Sequence, residues 1–330
     1  MAEFLTFDTD LTAVANAIRA KGGTSAQLVY PNGFVSAIQA IQTGITPKLV
    51  ITTAPGASIT ATPAEGFKVV KGTAGTDGMC TLELPKAGTW NVTAMANSVS
   101  NSQNIVIGTQ NMLLPLYHDT FADNTWEEII AVCRTGIAPD SWAVGDSKTM
   151  NIGGTAYQVD IIGKNHDEYA DGSGTAPLTF QLHDCYSEAK QMYSTNLSGL
   201  GWKNTDMRLT YLPAILALMP AEVQNGIRAV NKKTSEGGNS TTIETVSDTL
   251  FLLSEVEIFG TASSSVAGEG SQYDYYKAGN PKIKKREGVD EFWWERSSAS
   301  GGMFCRVRAN GQAGASNASN SLGVSFAFCF

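Results

Sequence analysis

The sequence predicts a multidomain protein: a short α-helical N-terminal segment, an all-β sandwich and an α+β C-terminal domain. Three observations predict it. Apolar residues recur at helical spacing over the first segment, alternate with period two from about position 46, and mix both patterns beyond position 117. At 330 residues and 42% hydrophobic, the chain is long enough for two or three domains with sizeable cores. The pattern changes set the boundaries at 1–45, 46–111 and 117–330.

In the first segment Leu11, Val14 and Ile18 fall at i, i+3 and i+7 behind Asp10, a candidate N-cap, and Gly22-Gly23 supplies a stop. A second helix is signalled by Pro31-Asn32-Gly33 followed by Phe34, Val35, Ile38 and Ile41. Two short helices cannot bury their stripes alone, so the segment needs either later parts of the chain or copies of itself. We therefore expect an attachment or oligomerisation segment.

The second segment reads as strands at Lys48 to Ile51, Ser58 to Thr62, Phe67 to Val70, Cys80 to Leu84, Trp90 to Ala94 and Ile105 to Ile107. Pro55-Gly56, Gly72, Gly75 to Gly78 and Lys86-Ala87-Gly88 separate them, the pattern of a small antiparallel sandwich. In the third segment, Trp126 to Ile130 predicts a helix capped by Asn124 or Thr125 with acids in its first turn. Gly153-Gly154 predicts a hairpin joining Lys148-Met150-Ile152 to Tyr157 through Ile162. Trp202 to Leu212 reads as helical with Thr205 as a cap, and Pro213 opens another helix toward Pro220.

Charge and composition narrow the function. A net charge of -8 argues against a polyphosphate partner, so no nucleic acid is expected. The basic run Lys282 to Arg286 reads as a solvated loop, and Glu255 with Glu257 as a helix start and solvent face. Five cysteines at irregular positions, without a CxxC or Cys/His cluster, predict neither zinc nor a disulfide scaffold. Cys305 and Cys329 both lie in strand-like runs, where buried free thiols and a pair are both open readings. The N-terminus lacks a signal-peptide pattern, and Tyr211 to Met219 is too short to span a bilayer, so no membrane insertion is expected.

No catalytic motif is present. His118, His166 and His183 are the available imidazoles, and no GxSxG elbow, P-loop, GxGxxG turn or HExxH helix accompanies them. The oxygen-rich run from Asn165 to Gly174 makes Asp167 and Asp171 weak calcium candidates, but its spacing does not match an EF-hand loop. A polar turn fixed by His166 and Asp167 explains the run as well. Tyr273, Tyr275 and Tyr276 form either an aromatic recognition platform or packing beneath Trp293-Trp294. No cofactor is expected.

From Phe292 to Phe330 large anchors alternate with small and polar residues. Trp293, Trp294, Phe304, Val307, Val324, Phe326 and Phe328 read as a frame, and the small residues between them as what it displays. In a strand the two tryptophans point to opposite faces, which predicts one in the core and the other in a surface groove.

Two resemblances add to this reading. The phrases "APGASITAT", "GTDGMCTLELPKAGTWNVTA" and "NSQNIVI" resemble immunoglobulin-like or prealbumin-like spacer modules of surface and phage proteins, implying an Ig-like sandwich that acts as a rod. From about Trp126 onward the chain resembles a domain family of phage tail and bacterial surface proteins. The matching phrases are "TWEEII", "WAVGDSKTMNIGGTAYQVDIIGKNHD", "GWKNTDMRLTYL", "VNKKTSEG", "LFLLSEVEIFG", "EGSQYDYYK" and "FWWERSS...MFCRVRANGQAG...GVSFAFCF". This resemblance implies a C-type-lectin-like fold related to the formylglycine-generating type, with members among the variable proteins of diversity-generating retroelements. The leader "TDLTAVANAIRAKGGTSAQLVYPNGFVSAIQAI" resembles those of phage tail proteins.

The resemblance places the frame at Trp293, Trp294, Arg296, Phe304, Val307, Gly311, Gly323, Val324, Phe326 and Phe328. It places ligand-binding, variable positions at Glu295, Ser298, Ser300, Gly302, Arg306, Arg308, Gln312, Gly314 and Ser316. It implies a non-enzymatic receptor-binding protein of the virion, assembled in the bacterial cytoplasm, whose partners are a host-surface protein or glycan and other tail proteins, in a homotrimer. Two other readings stand beside it: a structural tail or decoration protein, and a relative of the formylglycine-generating oxidases acting through Cys305 and Cys329.

Overall fold

A computed structural model of the chain describes residues 8–22, 47–64, 66, 68–85, 87–107, 110–197, 199–238 and 240–330. The second helix expected between Pro31 and Gly44 lies outside these residues. The chain is β-rich and divides into two compact units, Met1–Tyr117 and His118–Phe330. The helical and sandwich segments, expected as separate domains, both fall within the first.

In the first unit, helix α1 spans Asp8–Gly22, so Asp10 lies inside its first turn rather than capping it. Its buried residues are Ala15 and Ile18, whereas Val14 is 46% exposed. The buried stripe therefore runs through an alanine that the choice of large apolar residues passed over. Seven strands follow: β1 Lys48–Thr52, β2 Ser58–Pro63, β3 Val70–Thr73, β4 Met79–Glu83, β5 Gly88–Ala96, β6 Val99–Ile107 and β7 Gln110–Leu113. They form two sheets, ordered β4-β1-β7 and β3-β2-β5-β6, with β1 and β7 parallel. Leu49, Ile51 and Leu82 of one sheet share a buried cluster with Ile59, Trp90 and Val92 of the other. Alternation explains the core: β4 and β5 turn every second residue inward, with Thr81 and Glu83 but also Met79 and Met95 left outside.

The second unit carries α2 (Trp126–Arg134), β8 (Ser147–Ile152), β9 (Thr155–Lys164) and β10 (Leu178–Leu182). A 3-10 turn at Trp202–Asn204 and a π turn at Met207–Tyr211 precede α3 (Leu212–Leu216) and α4 (Ala221–Gly226). The remaining elements are β11 (Val230–Ser235), β12 (Ile243–Asp248), β13 (Leu250–Phe251), α5 (Glu255–Phe259), α6 (Asp274–Lys277), β14 (Lys284–Arg286), β15 (Val289–Glu291), β16 (Trp293–Ser298), β17 (Met303–Val307), β18 (Ala313–Asn317) and β19 (Ala327–Cys329).

Five strands make one sheet in the order β13-β19-β10-β9-β8, so the last strand of the chain is paired on both edges. Its aromatic core stacks Phe180 on Phe121 and Phe328, at centroid distances of 6.0 and 5.3 Å. A separate antiparallel sheet, β16-β17-β18, carries the segment that the sequence marks as frame and display. Thr125 begins α2 with a full capping box: its hydroxyl accepts from the Glu128 backbone N–H and the Glu128 carboxylate accepts from its own. The hairpin through Gly153-Gly154 pairs β8 with β9, both glycines having positive φ, at 59° and 88°.

Two surface assignments are corrected here. Lys284, read as part of a solvated loop, is buried; its ammonium donates to the carbonyls of Leu182 and His183 at 2.6 and 2.8 Å. Glu255 and Glu257, read as a solvent face, are also buried, because α5 begins inside the unit with Ser254 as its cap. Among the described residues no helix is long and apolar enough to cross a membrane.

Candidate functional site

β16 is the foundation of the site, and all six of its residues are buried. The indole N–H groups of Trp293 and Trp294 donate to the Lys282 and Lys190 carbonyls, at 2.9 and 2.8 Å. Neither ring therefore lines a surface groove, because backbone acceptors inside the unit satisfy both polar tips. Along one edge β16 pairs with β17. Along the other, its Trp294 and Arg296 N–H groups donate to the carbonyls of Gly323 and Leu253.

Arg296 ties this strand to the rest of the unit. Its guanidinium forms a fork on Glu257, at 2.5 and 2.9 Å, and donates to the carbonyls of Lys233, Leu252 and Glu269. All of its donors are thereby occupied, which is what allows a planar cation to sit fully buried. Glu257 also pairs with Lys232 at 2.8 Å, and Lys232 donates in turn to Asp167 at 2.6 Å. The Tyr273 hydroxyl donates to Asp167 at 2.8 Å and accepts from Lys232 at 3.0 Å. Burial would raise the Asp167 acid; the Lys232 charge and the hydrogen bonds from Lys232 and Thr179 outweigh it and hold it at about 2.

Two weak calcium candidates find cations of the chain's own. Asp167 faces Lys232, and Asp171 meets Arg228 at 2.6 Å. Among the described residues no group of three metal-ligating side chains converges. Above Lys232, Asp167 and Glu257 opens a polar cavity of about 450 Å³, rimmed by His166, Asn231 and Ser271. His166 stacks on Tyr273 at 4.0 Å, and Tyr273, Tyr275 and Tyr276 are all buried, as packing rather than as a platform.

The proposed display positions separate into three groups. Glu295 and Ser298 are buried and cannot be displayed, because they stand on β16, an edge strand covered by the rest of the unit. Ser298 is held between the Ser235 hydroxyl and the Gly238 carbonyl, at 3.2 and 3.3 Å. Glu295 has no hydrogen-bond partner at either oxygen, and burial, followed by repulsion from Glu255 and Glu269, pushes its acid group well up. Gly302 is half-buried; a Cβ there would meet the Asn196 carbonyl oxygen at 2.5 Å, so this end of the sheet lies under the loop through Asn196. Ser300, one turn earlier, is exposed.

The remaining positions share one face, open at its Arg308 and Gln312 end. The register sets Arg306 opposite Gly314 and Phe304 opposite Ser316, so Arg306, Gly314 and Ser316 face one way, with Arg308 and Gln312 continuing the alternation beyond the paired residues. Arg308 and Gln312 are exposed, Arg306 and Ser316 half-buried, and Gly314 is buried. The reason lies in Arg308, whose Nε would come within 2.9 Å of a Cβ at position 314. Glycine lets that long side chain lie flat across β18. Arg306 stacks its guanidinium on Phe292, 4.2 Å from the ring centroid. Of the frame residues, all buried, Phe304 and Trp294 lie on this same side by register, opposite Ser316 and Arg306, so the face is covered at their end.

Sequence reasoning did not find Lys232, Glu257, Glu269 or Phe292 as parts of this assembly. A signal existed for one of them: Ser254 and Glu257 stand at capping-box spacing, which marks a helix start but not its burial. All five cysteines are free and buried. Cys305 lies 3.9 Å from Glu255, whereas Cys329 lies 3.5 Å from Thr179 in another sheet, so the two thiols have different partners.

Residues 179–330 match the model of a domain of unknown function, DUF6273. No curated protein matches the chain at a significant level. The matched segment starts inside β10 and contains the whole β16-β17-β18 sheet together with Lys232, Glu257 and Arg296.

Proposed function

We propose that the chain is a recognition protein whose C-terminal unit binds a ligand on the open face of β17 and β18. The observation that carries this reading is the contrast within one sheet. A buried strand is fixed by indole and guanidinium hydrogen bonds, and an outer face presents Arg306, Arg308, Gln312 and Ser316 around a glycine. Rigid support under adaptable polar groups is the physical requirement of a recognition surface.

The finer reading is a phage tail receptor-binding protein with a C-type-lectin-like ligand domain and an immunoglobulin-like spacer, diversified at its display positions and assembled as a trimer. The motifs quoted above support it, and trimeric display would turn weak single-site contacts into avidity. The two-sheet, seven-strand unit is compatible with the spacer role. The separate surroundings of Cys305 and Cys329 favour recognition over paired-thiol oxidation.

The test is an array of bacterial surface glycans and proteins probed with the full chain. Binding that disappears on replacing Arg308, Gln312 and Ser300 together supports the reading. Absence of binding to the array, or binding indifferent to these replacements, counts against it.

A further inference from the structure

We infer that the open face takes an acidic saccharide whose carboxylate seats on the paired guanidinium groups of Arg306 and Arg308. This rests on the recognition reading above and names its ligand class. Both arginines reach across β18 in the same way. The Nε of Arg306 donates to the Ala315 carbonyl at 3.2 Å, and that of Arg308 to the Ala313 carbonyl at 3.1 Å. Being two residues apart along an extended chain, their stems stand roughly 7 Å apart, close enough for both heads to reach one carboxylate and its neighbouring oxygens.

Neither head is neutralised by the protein. Arg208, Arg228, Arg286 and Arg296 of the same unit each pair with a carboxylate, whereas no ion pair among the described residues includes Arg306, Arg308 or Arg134, and of these three Arg306 and Arg308 stand side by side. Burial, and then the charge of Arg308, weakens the hold of Arg306 on its proton, against a smaller opposing effect of Glu295, whose own acid group burial pushes well up. In a chain of net charge -8, this unneutralised pair is a local reversal of sign. One terminal nitrogen of Arg306, Nη1, is shielded from water and has no acceptor on the chain. Nη1 is out of a ligand's reach, so it is the repelling pair, at its exposed nitrogens, that calls for an anionic oxygen.

The neighbours of the pair choose between anionic ligands. Phe292 covers one flat side of the Arg306 guanidinium and leaves its edge for in-plane hydrogen bonds, the geometry that suits a carboxylate. Beside the pair, the exposed Asn310 and Gln312 amides are joined at 3.1 Å and Ser316 is half-buried, and such amides and hydroxyls match sugar hydroxyls. An acidic sugar fits these neighbours better than an acidic peptide.

The experiment immobilises the full chain and measures binding of sialyllactose and of oligogalacturonate. Lactose and carboxyl-reduced oligogalacturonate serve as their neutral counterparts, and poly-glutamate as a peptide control. At least one acidic saccharide should bind, its neutral counterpart about tenfold or more weaker, since a charge-assisted fork is lost. Arg308→Gln should weaken binding by a similar factor and flatten its salt dependence, while Arg308→Lys restores part of it. Thermal unfolding of both variants should match the parent, since Arg308 is exposed. Equal binding of acidic and neutral forms, or indifference to Arg308→Gln, overturns the acidic-ligand inference and leaves the recognition reading standing. Preference for poly-glutamate overturns the saccharide assignment. Failure to bind any of these probes overturns the inference, and only failure on the wider glycan and protein array removes the recognition reading with it.

Discussion

Glu295 sits fully buried with neither oxygen hydrogen-bonded, beside the Glu255 and Glu269 carboxylates. Burial, and after it those two charges, raises its acid group, so the folded chain keeps a proton that the unfolded chain releases above about pH 4.3. The folded state then binds more protons, and stability falls as pH rises from that value toward the raised folded one. Glu295→Gln is neutral throughout and removes this loss. Urea midpoints of parent and variant should diverge between about pH 5 and 8 with the variant the more resistant; a gap constant with pH would contradict the assignment. Asp167 has the opposite sign. Held down at about 2, it contributes stability above the ordinary carboxylate value near 3.9, and that contribution is lost as pH falls toward 2. Lys232→Met leaves Asp167 and Glu257 buried without their cation and should cost about 3–5 kcal/mol in urea unfolding; a cost below about 1 kcal/mol would show that the ion network is dispensable.

At the scale of elements, two capping boxes of the same design stand in different surroundings. Thr125 is a partly exposed cap, so Thr125→Ala should cost about 1 kcal/mol, the ordinary value. Ser254 is buried, also donates to the Glu269 carbonyl at 2.8 Å, and its box acid is the Glu257 that holds Arg296 and Lys232. Ser254→Ala should therefore cost clearly more than Thr125→Ala in the same urea titration; equal costs would mean that the cap is uncoupled from the ion network. The first box, the glycine hairpin and most strands of the seven-strand unit were legible because each is written in adjacent residues. The β5–β6 hairpin was only half legible. Its turn is Asn97-Ser98, both at positive φ, and β6 is largely polar because Thr93 pairs with Ser102 and Asn91 with Asn104 across the outer face. The resemblance named Arg306, Gly314 and Ser316, but their shared face follows from the pairing of β17 with β18, and the burial of Glu295 and Ser298 from the covering of β16 by the rest of the unit, facts of tertiary order that no local pattern encodes. The Asp167–Lys232–Glu257–Arg296 chain was hidden for the same reason: its members are far apart in sequence, and each taken alone resembles surface charge.

Among the described residues, each compact unit buries apolar side chains of its own. Trp90 is the one tryptophan before residue 118, and the other five lie beyond it. Fluorescence-monitored unfolding should resolve two steps, and Trp90→Phe should remove the signal of one while leaving the other; a single step that merely dims in the variant would mean that the units unfold together. The cysteines extend across both units, with Cys80 in the first and Cys133, Cys185, Cys305 and Cys329 in the second, every one reduced and enclosed. Burial pushes all five thiols up, so a thiol reagent should find them silent in the native protein. Unfolding reverses this at once. An odd number of newly freed sulfurs cannot all pair within one chain, so air oxidation of the denatured protein leaves at least one to join two molecules. Recovery from denaturant is therefore a race between burial and cross-linking, and a reducing buffer decides the yield.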